Sequence, residues 1–303
     1  LVFALAALAF DASAVVTLST GDPAHNMNAP TGALADSGWQ YQGTFGDYVG
    51  TPISSRHFLT AKHMLFITNS VNTFLYGGQT YTITDYYANP TNDLVVVKVA
   101  ETFASFAPLY TNRNENGRTV MMLGRGWERG EAVTVGGDEK GWMYGYHPLS
   151  GADPLNTKIL RWGTNTVSGL AGGGYLMTTF SSGRADEAHL GPGDSGGGMF
   201  VLDPDDNTWK LAGINYTIDA YYSTNSSGAS PFWAALYDSS GLYVGSGSTW
   251  NPASGPSASY ATRVSTSVDW INSVVPEPST AAFLVLSAAA AAVVRRLRRH
   301  RDR

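Results

Sequence analysis

The stretch GPGDSGGG, residues 191–198, decides how this chain is read. Six of its eight residues are Gly or Pro, which suits a flexible loop. Asp194 and Ser195 at its centre admit a second reading, a strained turn that carries a nucleophile. A serine hydroxyl attacks a carbonyl only when a base takes its proton. It also needs N–H donors aimed at the oxyanion that then forms. Gly193 has no Cβ and can turn its N–H toward a substrate, and with the Ser195 N–H it makes a candidate oxyanion hole. The stretch alone leaves loop and nucleophile turn both open. Partners elsewhere in the chain must decide.

Length and composition set the frame for that search. At 303 residues with 43% hydrophobic content, the chain is long enough to bury a large core. Its 34 Gly and only 14% charged residues favour short strands and tight turns over long charged helices. The absence of Cys removes thiol nucleophiles, thiolate metal sites and disulfides, without excluding an oxidising compartment. The formal charge is −5, yet residues 295–303 hold six Arg against one Asp, so the body before them carries −10. An acidic body argues against nucleic acid as a partner.

Both ends have the character of export segments. Residues 1–10 (LVFALAALAF) are apolar, and Ala12-Ser13-Ala14 fits the small-residue rule of a signal-peptidase site. No Met or basic segment precedes them, so residues 1–14 are expected to be a signal peptide truncated at its start; a buried apolar element is the alternative. At the other end Val275-Pro276-Glu277-Pro278 precedes a 16-residue apolar run, 279–294, and then RRLRRHRDR. At ~1.5 Å per residue the run spans roughly 24 Å, short of the ~30 Å hydrocarbon core. Arginine side chains can snorkel across part of that gap and favour a cytoplasmic end. This order resembles the PEP-CTERM sorting signal of Gram-negative bacteria. The resemblance implies transient inner-membrane anchoring through the apolar helix, then processing by an exosortase near the Pro-Glu-Pro. The mature chain would reside in the cell envelope or outside the cell. An ordinary tail anchor is the alternative.

Between the ends, short β-like runs follow one another at 48–53, 57–60, 73–76, 81–84, 94–99, 120–123, 132–135, 160–162, 175–179, 198–202 and 209–214. Turn-forming residues separate most of them. A helical period enters only at 264–275, where Val264, Val268, Ile271 and Val275 share a face. Many short strands and one terminal helix predict a β-sandwich or a pair of barrels.

Two further residues bear on Ser195. His63 follows Leu59-Thr60-Ala61, where a strand should stop, and Asp93 opens the apolar run Leu94-Val95-Val96-Val97. Taken singly, His63 reads as a structural histidine and Asp93 as a turn residue. Of the other histidines, His25, His57, His147 and His300 have no supporting context.

The three contexts together, TAKH, NDLVVVKV and GDSGG in the order His–Asp–Ser, resemble the trypsin-like serine peptidases of the chymotrypsin fold. Leu123-Gly124-Arg125-Gly126-Trp127 resembles the family's second-barrel opening. Tyr260-Ala261-Thr262-Arg263-Val264, leading to Asp269-Trp270-Ile271, resembles its closing strand and helix. The likeness spans roughly residues 40–275. It implies an all-β fold of two antiparallel β-barrels, about 40–119 and 120–260, with a C-terminal helix at 264–275. That peptidase domain of residues 15–275 would be followed by the separate sorting segment 276–303.

The resemblance also implies roles. His63 would be general base and then acid, Asp93 its orienting carboxylate and Ser195 the nucleophile. Gly193 and Ser195 N–H groups would hold the oxyanion, with no metal and no cofactor. The substrate would be a protein or peptide. A non-catalytic binding module on the same fold, or an esterase using the same triad, are the competing functions. In the family Asp194 pairs with a new N-terminal amine after activation. No activation site is visible, and signal cleavage before Val15-Val16 or satisfaction of Asp194 by local groups are the options.

Departures concern specificity. Gly198 replaces the usual proline, and the half-cystines of animal members are absent. The residue six before the nucleophile sets the pocket floor in the family, and here it is His189. It does not match a trypsin-type aspartate, so no preference for Lys or Arg at P1, the residue before the scissile bond, is expected; an acidic P1 is one option. Ile218 is expected near the pocket mouth. Residues 203–207 (DPDDN) read as a hairpin turn. The segment 219–259 is longer than the family's usual connection and is expected to be a surface loop or a cover over the cleft.

Overall fold

The computed structural model describes residues 15–275 apart from 23, 68–69, 146–158, 173, 185 and 220. The apolar leader, the segment 276–303, His147 and His300 lie outside the described residues. Among the described residues no helix is long and apolar enough to cross a membrane.

Six strands make a first closed antiparallel barrel: β1 (Gly43–Phe45), β2 (Tyr48–Ser54), β3 (His57–Ala61), β4 (Thr73–Tyr76), β5 (Gln79–Ala88) and β6 (Leu94–Val99), in the order β1-β2-β3-β6-β5-β4. Its interior is aromatic and aliphatic. Phe45, Phe58, Phe74 and Leu59 are wholly buried, and Phe58 stacks on Phe74 with ring centroids 4.0 Å apart. Each such side chain contributes about 1.5–3 kcal/mol by leaving water. The run Leu94 to Val97 is buried without alternation, so both faces of β6, which pairs with β3 and β5, are covered.

A second closed barrel holds β7 (Thr119–Gly124), β8 (Arg161–Ala171), β9 (Tyr175–Thr179), β10 (Gly198–Asp203), β11 (Thr208–Ile218) and β12 (Ala258–Arg263), in the order β8-β9-β12-β11-β10-β7. Its core joins Val120, Met122, Val167, Leu176, Met199 and Ala212. The acidic turn 203–207 is the β10–β11 hairpin, closed at Asn207 with φ +56° and braced by Lys210 on Asp203 and Asp206. The two barrels expected from the sequence are thus present.

Two features differ from the sequence pattern. The run 132–135 lies in a strand, Glu128–Val135, outside both barrels. It pairs with Asp138–Gly145, which in turn pairs with Ala234–Leu236 from the long segment after β11. That segment is therefore only partly loop. The helical period at 264–275 becomes a shorter helix, α1 (Val268–Val274). Residues before it are held as a turn: the Val264 N–H donates to Ala212, and the Ser265 hydroxyl donates to buried Glu115. The chain forms two compact units, divided after Ser267, and α1 opens the second.

Candidate active site

Strand register explains how His63 meets Asp93. β3 and β6 are antiparallel, with Ala61 opposite Leu94. His63 comes two residues after Ala61, in the 3-10 turn Lys62–Ile67, and Asp93 one residue before Leu94. The pairing alone sets them side by side. Asp93 then uses both oxygens on one residue: the His63 backbone N–H donates to Oδ1 at 2.8 Å, and Nδ1–H donates to Oδ2 at 2.6 Å. Only 8% of Asp93 is exposed. Its turn is secured by Lys62 N–H on the Asp93 carbonyl and by Asn92 Nδ2, which donates to Ser267 Oγ at 2.7 Å. The opposite ring nitrogen, His63 Nε2, accepts from the Ser195 hydroxyl at 2.9 Å. Tyr216 lies edge-on to the imidazole at 5.9 Å.

Ser195 stands on a turn wedged between the barrels. Gly196 has φ +82°, and a Cβ there would meet Val49 O and Thr60 Oγ1 of the first barrel at 2.3 Å. Only glycine satisfies both conditions. Asn215 on β11 ties the same turn to the second barrel. Its backbone exchanges hydrogen bonds with Gly196 and Gly197, and its Nδ2 donates to Leu123 O at 2.7 Å and Asp194 O at 3.1 Å. Asp194 is buried, and its carboxylate accepts from Gly126 N–H at 2.6 Å and Gly191 N–H at 2.7 Å. Both oxygens thus have backbone donors, one from its own turn and one from the segment after β7. Gly193 adopts φ +92°. Neither its N–H nor that of Ser195 has an acceptor among the described residues.

A cavity of about 360 Å³ opens beside Ser195, between Leu190–Pro192 on one side and Asn215–Asp219 on the other. Ile218 lines it. His189 does not: it is buried, with Nδ1 2.6 Å from the Leu190 carbonyl and 2.9 Å from the Tyr144 hydroxyl, and Nε2 3.0 Å from Ser257 Oγ. Burial pulls its pKa down to about 4. The physical reason for this placement is strand pairing and packing. His189 belongs to the short strand Ala188–His189, paired with Val16–Thr17, and its ring packs on Phe180.

By the family resemblance, 213–218 reads as a wall strand of the pocket, but sequence reasoning singles out neither Asn215 and Tyr216 within it nor Asp219, Tyr221 and Trp233 as site residues. A polar Asn at a buried position of an otherwise apolar strand was the available signal for the first. The last three come from the segment after β11, which local pattern marks only as a loop or a cover over the cleft. His25 and His57 stay apart from the site, near Asp186 at 3.3 Å and Ser54 at 2.8 Å.

No family model and no curated protein matches the sequence. Among solved structures, the chain is similar to neuropsin, described as a serine protease expressed in the limbic system of mouse brain, with a TM-score of 0.48 and 12% identity over 79% of this chain and 96% of that chain.

Proposed function

We propose that this chain is a serine endopeptidase that cleaves proteins or peptides through an acyl-enzyme. The continuous relay from Asp93 through His63 to Ser195, opening on a cavity, is the observation that supports it. His63 Nε2 takes the Ser195 proton as Oγ attacks the scissile carbonyl. Asp93 keeps Nδ1 protonated, so that Nε2 is the basic nitrogen, and stabilises the imidazolium. The Gly193 and Ser195 N–H groups face the oxyanion. The imidazolium then protonates the leaving amine, and a water activated by the same nitrogen hydrolyses the ester.

A fluorophosphonate probe tests this. Wild type is expected to label at Ser195 and the Ser195→Ala variant not to label; equal labelling of the two overturns the assignment. Parallel assays on peptide and simple ester substrates separate a peptidase from an esterase, and a folded protein inert to probe and substrates would be a binding module.

The proposal extends to export: signal cleavage after Ala14, anchoring through 279–294, and exosortase processing near Pro276 in a Gram-negative envelope. Mass spectrometry of the mature protein from envelope and medium fractions checks it. A mature chain that retains either apolar segment contradicts that part.

A further inference from the structure

The cavity beside Ser195 is lined by Leu190, Ile218, Tyr221 and Trp233, the last two stacked with centroids 4.9 Å apart. Two carboxylates also line it, and they are engaged differently. Asp194 is 1% exposed and turned onto the backbone of Gly126 and Gly191. Asp219 is half-buried and follows directly on the end of β11. Ala258 N–H donates to its Oδ2 at 2.7 Å, and the Tyr260 hydroxyl donates to its Oδ1 at 2.9 Å. The two bonds hold the carboxylate in place, and each oxygen keeps a further lone pair.

Among the described residues no Lys or Arg lies within ion-pair distance of Asp219. The His189 imidazole feels its charge but is kept neutral by burial. Burial, and then Asp219 itself, pushes the Tyr260 phenol up to about 12 and raises that of Tyr222, so neither phenol ionises near neutral pH. A carboxylate on an apolar wall without a counter-charge is poorly solvated, and a cation entering the cavity relieves it.

We propose that Asp219 sets the P1 preference: the cavity takes lysine or arginine, the cationic end on the Asp219 carboxylate and the alkyl stem along Leu190, Ile218 and Trp233. This deepens the serine-peptidase reading and rests on it. It departs from the expectation drawn from His189, because the charge in the cavity comes from the end of β11 and not from the residue six before the nucleophile.

Two measurements test it. In a P1-varied peptide series, wild type is expected to cleave after Lys and Arg at least 100-fold faster, in kcat/KM, than after norleucine, which has the stem of lysine without its charge. Asp219→Asn is expected to reduce that ratio about 100-fold, the scale of a lost charge-assisted hydrogen bond. The second is independent of catalysis. Calorimetry on Ser195→Ala should show benzamidinium binding at least tenfold more tightly than neutral benzamide. The difference should vanish in Ser195→Ala/Asp219→Asn. Wild type that labels with fluorophosphonate yet cleaves after neutral or acidic residues overturns this inference and leaves the peptidase reading standing. Protein that fails to label overturns the peptidase reading, and calorimetry then decides the cation site alone. Should Asp219→Asn not fold, the wild-type P1 profile and the benzamidinium–benzamide comparison still decide it.

Discussion

Asp93 makes two hydrogen bonds to one residue, and they do different things. The bond to the His63 backbone sets where the turn begins; the bond to Nδ1 sets the tautomer. Asp93→Asn keeps the shape, but its amide can present a donor to Nδ1 and so favours the wrong tautomer. We expect kcat to fall about 10⁴-fold with KM little changed, as in the template of this triad; steady-state kinetics on a peptide substrate checks it. At Gly196 the constraint is steric. A methyl group at φ +82° that also strikes the Val49 carbonyl must move the turn. Gly196→Ala is therefore expected to lose fluorophosphonate labelling and to lower the midpoint of urea unfolding. Retained labelling with an unchanged midpoint would count against the wedge described for this turn. His63, Asp93 and Ser195 were each ambiguous in sequence and were legible only as a set. The role of Asn215 was not legible beyond its being a polar residue in the wall strand, because it lies in which carbonyls its amide reaches.

At the scale of elements, the connection between the barrels is tied to the end of the second. Glu115, fully buried in that connection, accepts from Arg263 Nε at 3.0 Å, from Arg263 Nη2, and from Ser265 Oγ at 2.6 Å. Arg263 closes β12, and the bond from Ser265 helps explain why residues 264–267 form a turn rather than helix. Removing one partner strands a buried charge. Arg263→Met is expected to destabilise by about 3–5 kcal/mol, and the double variant Glu115→Leu/Arg263→Met by less, since no unpaired charge remains. Urea denaturation of the three proteins checks the order. The β-periods of most barrel strands were readable in sequence because alternation and turn residues are local. Asp138–Gly145 and Ala234–Leu236 were not: the first is the charged second arm of the hairpin begun by Glu128–Val135, and the second joins it outside the barrels across nearly a hundred residues of chain.

For the molecule as a whole, acid stability carries the mark of buried histidine. Burial lowers the pKa of His189 from the ordinary 6.5 to about 4, and burial followed by Lys98 lowers that of His57. The unfolded chain therefore binds protons more readily in this window. The stability contributed by neutral His189 is fully present above pH 6.5 and is lost as pH falls toward 4, a change of about 3 kcal/mol. Unfolding free energies at pH 5 and 7 should differ in that sense for wild type, and by distinctly less for His189→Asn. An equal pH dependence in both would remove His189 as the cause.

What the sequence made legible by itself is the class of fold, through short alternating runs and turn residues, and the candidate set His63, Asp93 and Ser195, through three motifs that are ambiguous singly and resemble a known family only when taken together. What only the tertiary structure decided is the cavity beside Ser195. Its walls come from residues 190–192, 194–195, 215–219, 221 and 233, and whether a side chain faces it depends on strand pairing and burial. That is why His189, adjacent in sequence to the wall, is turned into the core, while Asp219, from the far end of β11, stands in the cavity.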